Sequence, residues 1–217
     1  MLPTATSTNA VVADRARQGE AAGLCVVAEE QTAGRGRLDR SWTSPPRAGL
    51  TFSVLLRPVT DELGWVPLLG GLAVVRAVRE QAGVDAVLKW PNDVLVGDRK
   101  LAGLLAEAVS GAVVLGVGLN VTTHTDELPH AMATSLALEG ARTTDRDTLL
   151  RAVLRGLTFT EADRSSYREV CSTLGRDVEV HLPGLNVVQG RADDVDEHGR
   201  LVVDGTPYSA GDVVHLR

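Results

Sequence analysis

Only two of the 22 basic side chains in this sequence are lysines, Lys89 and Lys100. A general preference for arginine would explain why lysine is rare. It would not explain why the only two lysines lie eleven residues apart in one distinctive segment. That segment is therefore a candidate functional region.

Several other features are scarce, and each scarcity excludes a class of protein. Cys25 and Cys171 are the only cysteines and lack CxxC spacing, which argues against a disulfide scaffold or a zinc site, and the five histidines are scattered. The sequence contains no run of eighteen apolar residues, so no membrane span is expected. Its first residues lack the features of a signal peptide. We therefore expect a cytoplasmic protein without a membrane partner.

Composition sets the size of the fold and the sign of its charge. The 217 residues are enough for one good-sized domain and a small one, and 44% apolar residues can form a core. The net charge of −6 argues against a general nucleic-acid binder. Against that background, Arg35, Arg37, Arg40, Arg47 and Arg57 form a local cluster of positive charge.

The stretch 31–42 alternates glycine and arginine and ends in Trp42. Glycine permits close approach of backbone to a ligand, and arginine offers a planar donor fork to phosphate or carboxylate. The stretch is either a solvated flexible loop or a loop that wraps an anion. It is neither a Walker A loop nor a Rossmann fingerprint, because the required Gly-Lys-Ser/Thr and third glycine are absent.

The pattern of apolar residues predicts an α+β fold with a mixed or antiparallel sheet flanked by helices. Strands are expected at 24–28, 50–56, 86–90, 94–96, 100–106 and 112–121. Helices are expected at 10–18, from Pro67 to a stop at Gly83, and after a cap at Asp145, with a last helical turn at 168–174. Gly116 and Gly118 interrupt an apolar strand, which often marks a place where another group approaches closely.

The pattern changes near residue 173. Four short apolar runs at 178–182, 187–192, 201–203 and 213–216 are separated by turn signals, the first of them Pro183-Gly184. This spacing is typical of a small β-barrel. We therefore predict a catalytic domain at 1–172 and a small C-terminal barrel domain at 173–217, which packs against the first because its own core is small.

Two polar segments admit a structural and a functional interpretation. Ser7-Thr8-Asn9 can cap the first helix, or its side chains can face a polar ligand. Lys89-Trp-Pro-Asn-Asp93 places a cation, an indole, an amide and a carboxylate at one strand–turn junction, and Lys100 begins the returning arm of the hairpin. The two lysines are either ordinary surface residues or members of one site.

The order of motifs resembles that of biotin protein ligases (biotin–[biotin carboxyl carrier protein] ligases). The motifs that carry the resemblance are Ser7-Thr8-Asn9, Gly34-Arg-Gly-Arg37 with Arg40 and Trp42, Lys89-Trp-Pro-Asn-Asp93, Arg99-Lys-Leu-Ala-Gly-Leu-Leu-Ala-Glu107, Gly116-Val-Gly-Leu-Asn120 and Gly211-Asp-Val-Val-His-Leu-Arg217. They span almost the whole chain. The resemblance implies a class II synthetase-like, biotin/lipoate ligase fold with an SH3-like C-terminal barrel.

The resemblance also implies a reaction. Biotin and ATP, with Mg²⁺, would form biotinyl-5′-AMP, and the biotinyl group would pass to one lysine of a biotin carboxyl carrier protein domain. No helix-turn-helix precedes Ser7, so the resemblance favours the monofunctional type without an N-terminal DNA-binding domain, and no DNA partner is expected. The alternatives are a lipoate-type ligase, against which the loop and its tryptophan argue, and a biotin-sensing regulator.

The residue roles that follow from the resemblance fall into three groups. The biotin-binding residues would be Ser7, Thr8, Asn9, Gln31, Gly34, Arg35, Gly36, Arg37 and Lys100. The ATP- or adenylate-binding residues would be Arg37, Arg40, Trp42, Asn92, Lys100, Gly118 and Asn120. The catalytic residues would be Arg37, Lys89, Lys100 and Asp93, and Asp93 would either hold Mg²⁺ or receive the proton of the incoming lysine. No protein metal cluster is expected.

Overall fold

A six-stranded antiparallel sheet forms the larger part of the molecule. The computed structural model describes residues 1–38, 40–57, 63–182 and 186–216. The strands are β1 (Cys25–Ala28), β2 (Gly49–Leu56), β3 (Ala86–Lys89), β4 (Asp93–Val96), β5 (Arg99–Val109) and β6 (Ala112–Asn120). They lie in the order β1-β2-β6-β5-β4-β3, and every neighbouring pair is antiparallel. The predicted α+β class is confirmed.

The two faces of this sheet are different, and β6 shows how. Val113, Leu115, Val117 and Leu119 point into the main core beneath helix α2 (Trp65–Ala77). Alternate residues face the other way because side chains alternate along a strand. Ala112 and Val114 on that second face pack under helix α1 (Thr8–Arg17). Further along the same face stand Gly116, over which Asn9 of α1 lies, and Gly118, over which the Trp42 indole lies.

The helices mostly follow the predictions, with one omission. Helix α2 begins two residues before Pro67, continues through a π-helical turn at Val78–Ala82, and ends at Gly83 in the left-handed conformation. Helix α3 (Arg146–Arg155) begins after Asp145, whose carboxylate accepts a hydrogen bond from the Thr148 amide as predicted.

Helix α4 (Glu161–Val170) contradicts the prediction, which had a polar stretch at 160–166 and a helical turn at 168–174. Its start is fixed by a capping box in which Thr160 and Asp163 bond each other's backbone amides. Asp163 also accepts a hydrogen bond from Arg76 at 2.7 Å. This helix has few apolar residues, so its periodicity is weak in the sequence.

The segment before α1 lies along the edge of the sheet. Leu2 and Ala5 form parallel bridges with Ala28 and Gln31. These contacts cover the outer side of β1. They also place Ser7, at the N-cap of α1, beside the start of the glycine–arginine loop.

A second antiparallel sheet follows α4. Its strands are β7 (Asp177–His181), β8 (Val187–Val195), β9 (Leu201–Val203), β10 (Thr206–Tyr208) and β11 (Asp212–His215), in the order β10-β9-β8-β7-β11. Strand β10 was not predicted from the sequence. The predicted turn Pro183-Gly184 lies outside the described residues. Among those residues the five strands form the predicted C-terminal β-domain, no pairing joins β10 to β11, and closure into a small β-barrel stays a prediction.

The two sheets are joined by buried tryptophans. The indole of Trp90 donates to the Gly199 carbonyl at 3.1 Å, and that of Trp65 donates to the Glu197 carbonyl at 2.8 Å. Both tryptophans are only 1% exposed. Each indole ring is buried among apolar groups, and its N–H donates to a backbone carbonyl. The two tryptophans therefore fix the orientation of the second sheet as well as adding apolar contact. In the described part of the chain, no helix is long and apolar enough to cross a membrane.

His215 belongs to the same junction. The Thr173 hydroxyl accepts from the Trp90 amide at 3.1 Å and lies 3.1 Å from His215 Nε2, so its own hydrogen can serve the neutral ring. Burial, with Lys89 and Arg176 nearby, lowers the pKa of His215 to about 4, and Asp98 opposes this only weakly. A lowered histidine pKa means that the folded protein holds the ring neutral.

This histidine predicts a pH dependence of stability. The folded pKa lies below the ordinary value, so the contribution is complete above pH 6.5 and is lost as the pH falls towards 4. Because the ring is only partly buried, we expect about 1 to 2 kcal/mol of the free energy of unfolding to disappear over this window. Urea unfolding of wild type and His215→Gln at pH 7.5 and 5.0 measures it.

The comparison has a simple control. His215→Gln should flatten the pH dependence, whereas His124→Gln, at an exposed loop position, should leave it as in wild type. Equal pH dependence in wild type and His215→Gln would show that His215 titrates normally.

Candidate active site

One cavity of about 420 Å³ opens on the face of the larger sheet that α1 leaves uncovered. Fifteen of the sixteen predicted site residues line it. The exception is Gly34, which lies in a second hollow behind the loop. A side chain there would collide with the Gln31 amide and the Trp42 backbone, so Gly34 shapes the loop from behind. The volume suits a small-molecule ligand.

The glycine–arginine loop forms one wall as a small hairpin. The Trp42 amide donates to the Gly34 carbonyl at 2.9 Å, and the Gly36 amide donates to the Arg40 carbonyl at 2.6 Å. Arg35 and Ser41 form an antiparallel bridge between its arms. The loop therefore has a defined backbone, which directs arginine side chains into the cavity.

The end of the cavity nearest α1 is lined by uncharged polar groups. The Thr8 amide and hydroxyl both donate to Gln31 Oε1, at 2.8 and 3.1 Å. Ser7 occupies the N-cap position of α1, but its side chain makes no capping hydrogen bond. Ser7 is nonetheless only 4% exposed, and its hydroxyl lies in the cavity wall. The Ser7 side chain is therefore not a capping group, and a ligand-facing role of residues 7–9 stays a prediction.

The middle of the cavity is strongly cationic. Among the described residues, five cations but only two carboxylates line it: Arg35, Arg37, Arg40, Lys89 and Lys100 against Asp93 and Asp212. Three of these cations have partners, since Lys100 Nζ lies 2.6 Å from Asp93, Arg35 pairs with Glu107, and Arg40 pairs with Asp212.

Arg37 and Lys89 make no direct ion pair with any described residue. Burial lowers the pKa of Arg37, which Asp212 and Asp93 partly oppose. Burial also lowers the pKa of Lys89; Asp93 and Asp212 partly oppose this shift, while Lys100 and Arg40 add to it. Both shifts mean that nearby carboxylates do not fully offset the cost of burying the charges of Arg37 and Lys89. An anionic ligand beside these two groups would lower that cost.

The Trp42 indole lies against Gly103 and Gly118 on the face of the sheet. A methyl group at Gly118 would overlap its indole, and one at Gly103 would approach it to 3.2 Å. Lys100 Nζ stands 6.0 Å from the ring centroid. The predicted close approach at Gly118 is therefore made by Trp42. Nucleotide contact at Gly118 stays a prediction.

Asn92 and Asn120 both line the cavity but also hold backbone. Asn92 Nδ2 donates to the Leu104 carbonyl and Asn120 Nδ2 to the Thr134 carbonyl, each at 2.9 Å. Asn120 is 5% exposed. Each amide therefore fixes part of the wall, whatever it does towards a ligand.

Three residues that the structure places at the site had no role predicted from the sequence. Glu107 ends the motif Arg99–Glu107, Ser53 lies within the strand predicted at 50–56, and Asp212 follows Gly211 near the C terminus. Asp212 brings β11 to the cavity rim, together with Val213 and Val214. Residues 129–133 also contribute to the wall through Pro129, His130 and Ala133, and no signal in the sequence indicated this.

Comparison with known proteins agrees with this geometry. Residues 2–123 match the model of the biotin/lipoate A/B protein ligase family, and residues 173–216 match that of the biotin protein ligase C terminal domain. The biotin–[acetyl-CoA-carboxylase] ligase of Mycobacterium tuberculosis is 43% identical over 97% of this chain and 86% of its own length.

Two solved structures are similar over the whole chain. The biotin protein ligase from Aquifex aeolicus in complex with biotin and ATP has a TM-score of 0.81 and 27% identity, covering 100% of this chain and 98% of its own. The biotin protein ligase from Leishmania major in complex with biotinyl-5-AMP has a TM-score of 0.69 and 26% identity, covering 100% and 97%.

The family model covers more than half of the chain, and the mycobacterial relative is matched almost from end to end. The chain belongs to the biotin/lipoate A/B protein ligase family, as one of its biotin protein ligases.

Proposed function

We propose that this protein activates biotin with ATP to biotinyl-5′-AMP and transfers the biotinyl group to one lysine of a biotin carboxyl carrier protein. The observation that carries the proposal is the cavity with an uncharged polar end, a cationic middle and an indole in its wall. Biotin has a ureido ring that needs uncharged donors and acceptors, and a carboxylate that needs cations. The cavity offers both in that order.

The ureido ring fits the end near α1. Ser7, Thr8 and Gln31 supply hydroxyl and amide groups there, and their protein partners leave part of this bonding capacity open. A buried polar ligand must find such partners, because an unmatched polar group costs about 1 to 3 kcal/mol. These groups would therefore select the ring by its hydrogen-bonding pattern.

The cationic middle fits the chemical step. A carboxylate oxygen of biotin would attack the α-phosphorus of ATP, forming the acyl–phosphate bond as pyrophosphate leaves with the electrons of the broken P–O bond. Both reactants are anions, so their approach is opposed by charge. Arg37 and Lys100, aided by Arg40 and Lys89, would offset that repulsion, and positioning with charge stabilisation would provide most of the catalysis.

The second step requires an amine. The carrier lysine, as a free amine, would attack the acyl carbon of the adenylate, and AMP would leave as the amide forms and a proton is lost. Asp93 lines the cavity, paired with Lys100 at 2.6 Å, and would either accept that proton or share Mg²⁺. We infer a carrier domain of a biotin-dependent carboxylase as partner, by analogy with the activity for which the mycobacterial relative is named.

Mg²⁺ would enter as Mg·ATP. No group of three acidic, histidine or cysteine side chains among the described residues could hold an ion alone. Mg²⁺ usually binds through one or two carboxylates together with substrate phosphates, so the site is compatible with it, and Asp93 is the side chain that would share it. Its chemical contribution would be to neutralise phosphate charge.

We further propose that residues 1–172 form the catalytic domain and that residues 173–217 complete its rim through Asp212. A cytoplasmic location is the natural one for a reaction that consumes ATP and modifies a carboxylase. Lipoate is the main alternative substrate because the family includes lipoate ligases by name.

One assay separates these substrates. The protein is incubated with ATP, Mg²⁺, a biotin carrier domain and either biotin or lipoate, and the mass of the carrier is measured. We expect one biotinyl group on one lysine and none with lipoate. Transfer of lipoate without transfer of biotin would refute the proposal. Adenylate formation without transfer would indicate a biotin-binding regulator.

Lys100 provides a test of the adenylation step. Replacing it with alanine removes a cavity cation and leaves Asp93 without its partner, so biotin-dependent exchange of pyrophosphate into ATP should slow by about 10- to 100-fold. Lys100→Arg should retain more activity than Lys100→Ala. The neighbouring Arg99 is paired with Glu139, and Arg99→Ala should be close to wild type. Equal effects at positions 99 and 100 would contradict the assigned role.

Gly118 provides a test of the nucleotide end. In Gly118→Ala the new methyl group would displace the Trp42 indole, so the KM for ATP should rise by about tenfold while the KM for biotin changes little. Gly156→Ala is the matched control, because a methyl group there meets only ordinary contacts at 3.4 to 3.5 Å. A KM for ATP that is unchanged in Gly118→Ala would remove Trp42 from the nucleotide site.

A further inference from the structure

Glu107 is a carboxylate beside the site that does not face the main cavity. It belongs to β5, pairs in register with Val114, and lines the hollow behind the loop. Its Oε2 atom accepts from Asn9 Nδ2 at 2.7 Å and from the Arg35 guanidinium at 2.9 Å. One oxygen thus joins α1 to the glycine–arginine loop.

Asn9 is fixed completely by protein groups. Its Nδ2 donates to Glu107 and to the Leu105 carbonyl, and its Oδ1 accepts from the Ser53 hydroxyl at 2.6 Å. Gly116 lies directly beneath it, where a side chain would overlap Oδ1. With both amide hydrogens committed, Asn9 has no donor left for a ligand.

The contacts continue to the other end of the loop. The single hydrogen of Ser53 serves Asn9 or the Thr8 hydroxyl, which lies 2.7 Å away, and Thr8 in turn donates to Gln31. The close polar contacts run in the order Gln31–Thr8–Ser53–Asn9–Glu107–Arg35. It begins and ends in the loop, and passes beneath the polar end of the cavity.

We propose that Glu107 is a positioning residue for biotin, which holds Asn9 and Arg35 so that the loop and the start of α1 keep the shape of the biotin pocket. This inference rests on the proposed function. Glu107 touches no reacting atom, and it acts by ordering the pocket before biotin arrives. Such preorganisation improves binding more than the rate of the chemical step.

The pairing also changes the role of Arg35. Its charge is shared with Glu107, whereas Arg37 has no ion-pair partner among the described residues. Among the arginines of the loop, Arg37 is therefore the one available to the biotin carboxylate, and Arg35 serves as a fixed part of the wall. The Arg35–Glu107 pair is partly exposed, with 49% and 31% of the side chains accessible, so the less exposed bond to Asn9 carries more of the effect.

The test measures kinetics and loop order in the same variants. In pyrophosphate exchange, Glu107→Ala should raise the KM for biotin about tenfold, with kcat within about twofold of wild type. Glu107→Gln, which can still accept from Asn9 but lacks the charge, should be intermediate. Trypsin should cut after Arg35, Arg37 or Arg40 at least threefold faster in ligand-free Glu107→Ala. Glu169→Ala, an exposed glutamate on α4, is the matched control.

A double variant tests whether Glu107 acts through Asn9. The added effect of Glu107→Ala on the KM for biotin should be much smaller in an Asn9→Ala background than in wild type. The inference is overturned by full additivity, by an unchanged KM for biotin, by a lowered kcat at constant KM, or by an unchanged rate of cleavage. Failure of the proposed function is distinct from these results, because wild type itself would then show no biotin-dependent exchange.

Discussion

The site depends on three glycines on one face of the larger sheet. Gly103, Gly116 and Gly118 lie on β5 and β6, and Asn9 of α1 and Trp42 occupy the room that their missing side chains leave. An ordinary strand would place apolar side chains there, and the face would close over as core. The glycines weaken the strand locally, and ladder hydrogen bonds to neighbours on both sides compensate for this loss. The cavity thus exists because three positions of a regular sheet are glycines and carry no side chain.

The cationic side chains that line the cavity outnumber the carboxylates beside them. Asp93, Glu107 and Asp212 each take one cation, which leaves Arg37 and Lys89 without a direct partner among the described residues. Burial lowers the pKa of both, so keeping the two groups charged there costs free energy. A bound anion reduces that cost, and the gain is available only to a negatively charged ligand. The site therefore attracts carboxylate and phosphate in a chain whose overall charge is negative.

The sequence predicted most of the site because its motifs are local. The loop 31–42 and the segment 89–100 each place several site residues within a few positions, and turn chemistry alone brings them together. Glu107, Ser53 and Asp212 escaped notice because their roles depend on register between distant strands. Helix α4 and strand β10 were missed for a different reason: α4 has few apolar residues, and β10 has only three residues, one of them a proline.

The C-terminal sheet contributes to the site from two directions. Asp212 takes Arg40 at the rim, while Thr173 and Gly199 receive hydrogen bonds from the backbone and the indole of Trp90. Trp90 follows Lys89 directly, so the same contacts that attach the second sheet also fix the strand end that presents Lys89 to the cavity. Arg40 and Lys89 both line the cavity. The position of the C-terminal sheet therefore sets the distance between two of the cations, and any shift of that sheet would change the field that an anionic ligand meets.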